Sequence, residues 1–144
     1  MPIEVHVLGT SSARPAQGRS VSGSIVETGD GIFVIDCGEG FQNRLVTHRS
    51  ALKKSEGRKI KVGKIAGILL THGHLDHTWG VLPWLQTMAL DGRKEKLYVI
   101  GPTTTQVIDV LLHIQWQSWR HQPQLSVDVR LQHLHVPAKK SLRE

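Results

Sequence analysis

The chain has 144 residues, enough for one domain with a real core. Its 18 Lys and Arg against 12 Asp and Glu leave a net charge of +6, which favours an acidic partner such as nucleic acid without requiring one. The single cysteine, Cys37, excludes an internal disulfide, and no apolar run reaches membrane-spanning length, so a soluble, cytoplasmic protein with no membrane partner is expected.

Nothing after Met1 resembles a charged-then-apolar leader. Ile3 to Leu8 alternates Ile3, Val5 and Val7 with Glu4 and His6, the pattern of a half-buried strand. Gly9 to Ser20, with its Gly, hydroxyl and Arg content, is an exposed loop. Val21 to Glu27 and Ile32 to Asp36 are β-branched runs, and Gly29-Asp30-Gly31 between them offers the positive φ angles of a tight hairpin. The chain therefore opens as a β-meander.

A helix is expected from about Phe41 to Lys54. The stretch from Lys53 to Lys64 then holds six Lys or Arg and one Glu, a solvated loop first and a phosphate contact second. Ile65 to Thr71 ends in Ile68-Leu69-Leu70, the unalternating pattern of a strand buried on both faces. Trp79 to Leu90 has helical spacing, and Leu97 to Ile100 is a further buried strand. Thr103 or Thr104 offers a hydroxyl cap for a helix reaching about Trp119. Leu125 to Leu134 alternates again, with Leu125, Val127, Val129 and Leu131 on one face. The final HVPAKKSLRE shows no closing element. The order β-β-β-α-β-α-β-α-β is that of a mixed α/β sandwich.

At the end of the Ile65–Thr71 strand stands THGHLDHTWG, with His72, His74, Asp76 and His77 in six positions. Zinc takes His nitrogens and carboxylate oxygens at about 2.0–2.2 Å in near-tetrahedral geometry. His72 and His74, two residues apart, project the same way and can grip one ion. Asp76 and His77, a turn further on, can reach a second. Two ions roughly 3.5–4 Å apart stabilise both the attacking and the leaving oxygen of a phosphoryl group, which accounts for the crowding of ligands. Thr71 and Gly73 suit the turn, and Gly80 suits close approach of the next helix. Asp36, ending a buried strand, is expected to accept hydrogen bonds from the motif loop and so brace the ligands. Cys37 beside it reads as a small buried hydrophobe. His6, His48, His113 and His121 read as ordinary surface histidines.

Together these features resemble the metallo-β-lactamase superfamily, whose THxHxDH signature is present as THGHLDH. Within it the chain is most similar to tRNase Z (ribonuclease Z), on three blocks: LGTSSARPAQGR, IDCGEGFQNRL and THGHLDHTWGVLPWL. Phe41 stands where that family usually has Thr, Leu75 where it has Gly, and Trp84 in the stretch it writes GLPG. The resemblance implies an αββα sandwich of which residues 1–144 form the N-terminal half. It implies a first zinc on His72 and His74 and a second on Asp76 and His77. Asp76 would also accept a proton as water attacks the phosphodiester of a precursor tRNA, releasing the 3′ trailer. Arg14, Arg19, Lys59, Lys61 and Lys64 are candidate RNA contacts.

The ligands that complete both zinc shells in the family lie later than the blocks seen here. His133 and His135, on the strand face of Val127 and Val129, are late candidates without a supporting motif. Half of the sandwich leaves an apolar sheet face open, so a homodimer or pairing with a second half is expected. Two other readings stay open: a hydrolase of the same fold acting on small phosphodiesters or esters, and a non-catalytic half-domain or subunit that binds RNA by charge.

Overall fold

The structure, a computed structural model, describes residues 2–135. The polar stretch 136–144, read above as lacking a closing element, lies outside them. Six strands form one sheet in the order β1-β2-β3-β4-β5-β6. They are β1 (Glu4–Gly9), β2 (Gly23–Glu27), β3 (Ile32–Cys37), β4 (Ile65–Leu69), β5 (Leu97–Pro102) and β6 (Val129–Leu134). The first three pair antiparallel and β3 to β6 pair parallel, as a meander followed by βα units requires. Among the described residues no helix is long and apolar enough to cross a membrane.

Helix α1 (Phe41–Glu56) follows β3 and is bracketed by two left-handed glycines, Gly40 at φ 78° and Gly57 at φ 64°. At its C-terminus the Gly57 N–H donates to Lys53 O. The helix expected over Trp79–Leu90 is α3 (Val81–Leu90), and a short α2 (Leu75–Thr78), which takes in half of the motif, precedes it unexpected. Helix α4 (Val107–Trp119) starts after a 3₁₀ turn at Thr103–Thr105, with Gln106 at its N-cap position rather than the Thr103 or Thr104 expected there. Thr105 instead donates its hydroxyl to Pro102 O.

The long alternating strand expected from Leu125 begins only at Val129. Pro123 starts a 3₁₀ turn whose carbonyl accepts from Ser126, yet Val127 is still buried. In the β2–β3 hairpin only Gly31 of the three expected residues has positive φ. The Thr28 hydroxyl closes that turn by accepting from the N–H groups of Asp30 and Gly31.

All four helices cover one face of the sheet. Ile25, Val34, Ile68 and Val99 project from neighbouring strands into a core closed by Phe41, Leu45, Val81, Trp84, Leu85, Ile108 and Leu112. Fully burying such an Ile or Leu contributes about 1.5–3 kcal/mol. The opposite face carries Val5, Val7, Val26, Phe33, Ile35, Leu69, Tyr98 and Ile100, all half-buried or exposed.

One expectation, a β4 buried on both faces, is corrected by this arrangement, and β1 shows which of its sets turns inward. In β1 it is His6 and Leu8 that face the helices, while Ile3, Val5 and Val7 are 68 %, 59 % and 60 % exposed. Strand β4 is covered on one face rather than both: Ile68 is buried and Leu69 half-buried. Phe41 and Trp84, the two aromatic departures from the tRNase Z pattern, pack against each other with ring centroids 5.1 Å apart.

Candidate metal centre

The C-terminal ends of β3 and β4 lie side by side, so the residues that leave them meet. Asp36, 4 % exposed, adopts a left-handed φ of 58°, a conformation that costs a non-glycine residue about 1–3 kcal/mol and persists where surrounding contacts fix it. Those contacts are present. Its carboxylate accepts from the Thr71 N–H at 2.9 Å, from the Thr71 hydroxyl at 2.9 and 3.0 Å and from the Ser22 hydroxyl at 3.2 Å. His77 Nδ1 lies 2.7 Å from the same group. A carboxylate here only accepts, so Nδ1 donates to it and Nε2 points the other way.

That second nitrogen faces Asp76. Nε2 of His77 is 3.2 Å from Asp76 Oδ2. A carboxylate oxygen and a ring nitrogen at this spacing can share a proton or a metal ion between them. Two donors on one tetrahedral zinc stand about 3.4 Å apart at ordinary bond lengths, so the pair fits a single ion with a small shift. Asp76 also accepts the Ala13 N–H at 3.0 Å. Burial pushes the Asp76 carboxyl up, but the Ala13 N–H, His77, its own backbone N–H and His72 together hold it below the usual carboxylate range.

The other motif rings lie against His77. His72 has its centroid 4.1 Å from that of His77 and 4.7 Å from that of His74. The Thr71 hydroxyl sits 3.0 Å from His72 Nδ1. Among the described residues the triple whose ligand atoms all fall within 4.8 Å is Glu4, His6 and Glu27, not a set from the motif. The His72 ring meets those of His74 and His77 at interplanar angles of 78° and 53°, and His77 turns one nitrogen to Asp36, so their donors are close without converging on one point.

Two glycines make the approach possible. A Cβ on Gly38 would overlap the Asp76 carbonyl oxygen, and one on Gly80 would overlap the Gly38 carbonyl oxygen. The Gly80 N–H donates to Cys37 O at 2.9 Å, and Gly80, the N-cap of α3, lets that helix start in close approach to the loop after β3. Cys37 is fully buried, and burial with the neighbouring Asp36 pushes its thiol far above the usual range.

The other expected residues divide. Arg14 and Arg19 are exposed on the loop that reaches Asp76 through Ala13. Lys59, Lys61 and Lys64 precede β4 and so lie at the other end of the sheet; the five candidate RNA contacts do not form one patch. His133 is engaged at both nitrogens, 2.8 Å from Asp109 Oδ1 and 3.2 Å from the Thr105 hydroxyl, and ties β6 to α4. His135 is exposed just beyond β6. His6 and His48 are not ordinary surface histidines: their rings touch, with His6 Nδ1 2.8 Å from His48 Nε2.

Ala13, Ser22 and Gly38 were not singled out by sequence. They reach their partners across 63, 14 and 38 residues, and no local spacing carries such contacts.

The family model of the metallo-beta-lactamase superfamily matches residues 16–138. The chain is 30 % identical over 104 residues to the ribonuclease Z of Myxococcus xanthus, a match covering 72 % of this chain and 30 % of that one. It is 32 % identical over 116 residues to the ribonuclease Z of Bradyrhizobium sp. ORS 278, covering 81 % and 35 %. It thus spans about a third of the length of these relatives. Among solved structures, human tRNase Z, short form, superposes with a TM-score of 0.63 at 27 % identity, over 93 % of this chain and 46 % of that one. A diphosphatase of the PhnP family superposes with a TM-score of 0.61 at 18 % identity, over 97 % and 53 %, which shows the shared fold alone.

Proposed function

This chain belongs to the metallo-beta-lactamase superfamily, and from that premise we propose that it carries the motif half of a tRNase Z-type endoribonuclease site, acting on precursor tRNA in the cytoplasm. The observation that supports this reading is the convergence of its three sequence blocks. Ala13 from the first, Asp36 from the second and Asp76 with His77 from the third are joined by direct hydrogen bonds and ion-pair contacts.

In this reading His72 and His74 hold one zinc and Asp76 and His77 another. Bound there, zinc supplies Lewis acidity toward a phosphodiester and lowers the pKa of water. Asp36 fixes the His77 proton on Nδ1 and aims Nε2 into the site. Asp76, held ionised by Ala13 and the neighbouring rings, takes the proton of the attacking water. Water oxygen bonds to phosphorus as the P–O3′ bond breaks; the departing O3′ takes a proton to leave a 3′-hydroxyl on the tRNA, and the phosphate stays on the 5′ end of the trailer. Arg14 and Arg19, on the motif side, meet the RNA backbone.

Four donors for two ions leave positions in each shell for residues outside this set. In our reading those residues ride on a second sheet that covers the open apolar face, brought by a further segment or a second chain.

Zinc titration and trailer cleavage test this. The chain is expected to bind zinc through the motif, and Asp76→Ala or His77→Ala is expected to weaken that binding by about tenfold or more. Precursor tRNA should be cleaved only once the second sheet is supplied, and not by the Asp76→Ala form. Zinc binding indifferent to both substitutions would remove the motif from the reading. Turnover of aryl phosphodiesters without cleavage of precursor tRNA would favour a small-substrate hydrolase.

A further inference from the structure

At the opposite end of the sheet a second group of ligands is assembled. Strand β1 runs parallel to β3 and β2 runs back, so the start of β1 and the end of β2 lie at the N-terminal ends of the parallel strands, away from the motif. There Glu4 and Glu27 are direct cross-strand partners. Like charges placed opposite each other repel unless a cation sits between them.

His6 completes the group. Its side chain is 8 % exposed, with Nε2 3.0 Å from Glu27 Oε2 and 4.0 Å from Glu4 Oε2. Ligand atoms of the three residues all lie within 4.8 Å of one another. His48 of α1 takes the other nitrogen of His6 at 2.8 Å. Facing a carboxylate oxygen, Nε2 donates to Glu27 and Nδ1 accepts from His48; an ion at Nε2 would shift the His6 proton to Nδ1, where His48 Nε2 would accept it. Histidine ligands are commonly oriented in this way.

Arg58 now bridges the two carboxylates, with Nη1 2.6 Å from Glu4 and 3.5 Å from Glu27. Its Nε is also 3.2 Å from Glu56, which can hold the guanidinium when it leaves the other two. Three carboxylates against one guanidinium leave two negative charges uncompensated within the cluster. Lys61 and Lys64 line the adjoining open cleft with Asp30 and moderate that excess. The cleft also gives water access to the cluster.

We propose that Glu4, His6 and Glu27 form a second divalent-cation site, separate from the THGHLDH centre, in which Arg58 is the resident competitor that the ion displaces. One imidazole and two carboxylates suit a first-row ion such as manganese, cobalt or zinc. Magnesium and calcium favour all-oxygen shells, and thiolate-seeking ions find no sulfur here. Bound there, the ion clamps edge strand β1 to β2. The site stands whether or not the motif serves tRNA.

Cobalt titration of a chain carrying His72→Ala, His74→Ala, Asp76→Ala and His77→Ala isolates it. One cobalt per chain is expected, with a visible absorption band and a raised thermal midpoint. Glu27→Gln in that background should abolish the band, and Arg58→Gln should tighten binding several-fold. A merely structural arginine would instead lower the midpoint without tightening cobalt. No cobalt bound at millimolar concentration, binding indifferent to Glu27→Gln, or no tightening with Arg58→Gln would each overturn the site. If a variant fails to fold, the unaltered chain decides: cobalt must shift the ring-proton resonances of His6 and His48, and unshifted resonances at saturation overturn the proposal.

Discussion

Gly38 and Gly80 hold the loop after β3 against the motif helix at backbone contact, with carbonyl oxygens occupying the space a side chain would need. Carbonyls fixed in the main chain cannot swing away as a flexible side chain can. Gly38→Ala and Gly80→Ala are therefore each expected to cost about 1–3 kcal/mol, the usual range for overpacking a tight site. Each should also weaken zinc binding, because Asp76 and His77 ride on the displaced segment. Gly63→Ala is the control, since nothing lies within 4 Å of the Cβ it would add. Urea unfolding of the three variants, read beside zinc titration, gives the comparison; equal stability throughout would contradict the close approach. Phe41 and Trp84 make a related point. Along the chain they are separate departures from a family pattern, 43 residues apart; in space they fill one region of the core.

Strand β1 shows where an alternating pattern stops informing. Period two separates two residue sets and does not say which set faces inward. Hydrophobicity alone would turn Ile3, Val5 and Val7 to the core, yet His6 and Leu8 occupy it. His6 is held there by Glu27 and His48, partners 21 and 42 residues away that local spacing cannot reveal. By contrast β4 and its motif were legible, because an apolar run ending in closely spaced ligands is a local signal. The brace from Asp36 was legible in part: a carboxylate ending a buried strand needs donors, and Thr71 and His77 supply them. The β1 orientation yields a stability contrast. Leu8→Ala should cost about 2–5 kcal/mol, as for other buried leucines, and Val7→Thr less than about 0.5 kcal/mol, as for exposed sites. Reversal of that order in chemical denaturation would restore the simpler reading of the strand.

Taken whole, the described residues form two layers, helices on one face of a sheet whose other face is open. Half-buried or exposed apolar residues from five adjacent strands make that face continuous, from Val5 and Val7 through Val26, Phe33, Ile35 and Leu69 to Tyr98 and Ile100. Contiguous apolar patches of this kind mark surfaces that associate. The net charge of +6 opposes association between copies at long range, but salt screens it over about 10 Å and leaves the apolar term in place. Self-association of the purified chain should therefore strengthen with added salt. Replacing Val5, Phe33 and Ile35 by Thr keeps β-branched or strand-compatible side chains and removes most of the apolar surface at the centre of the face. Sedimentation in the micromolar range is expected to show reversible oligomers for the unaltered chain and monomers for the triple variant, with the same circular-dichroism spectrum. A monomeric unaltered chain at high salt would mean that the open face does not drive association, and the second sheet would then have to be held by contacts elsewhere.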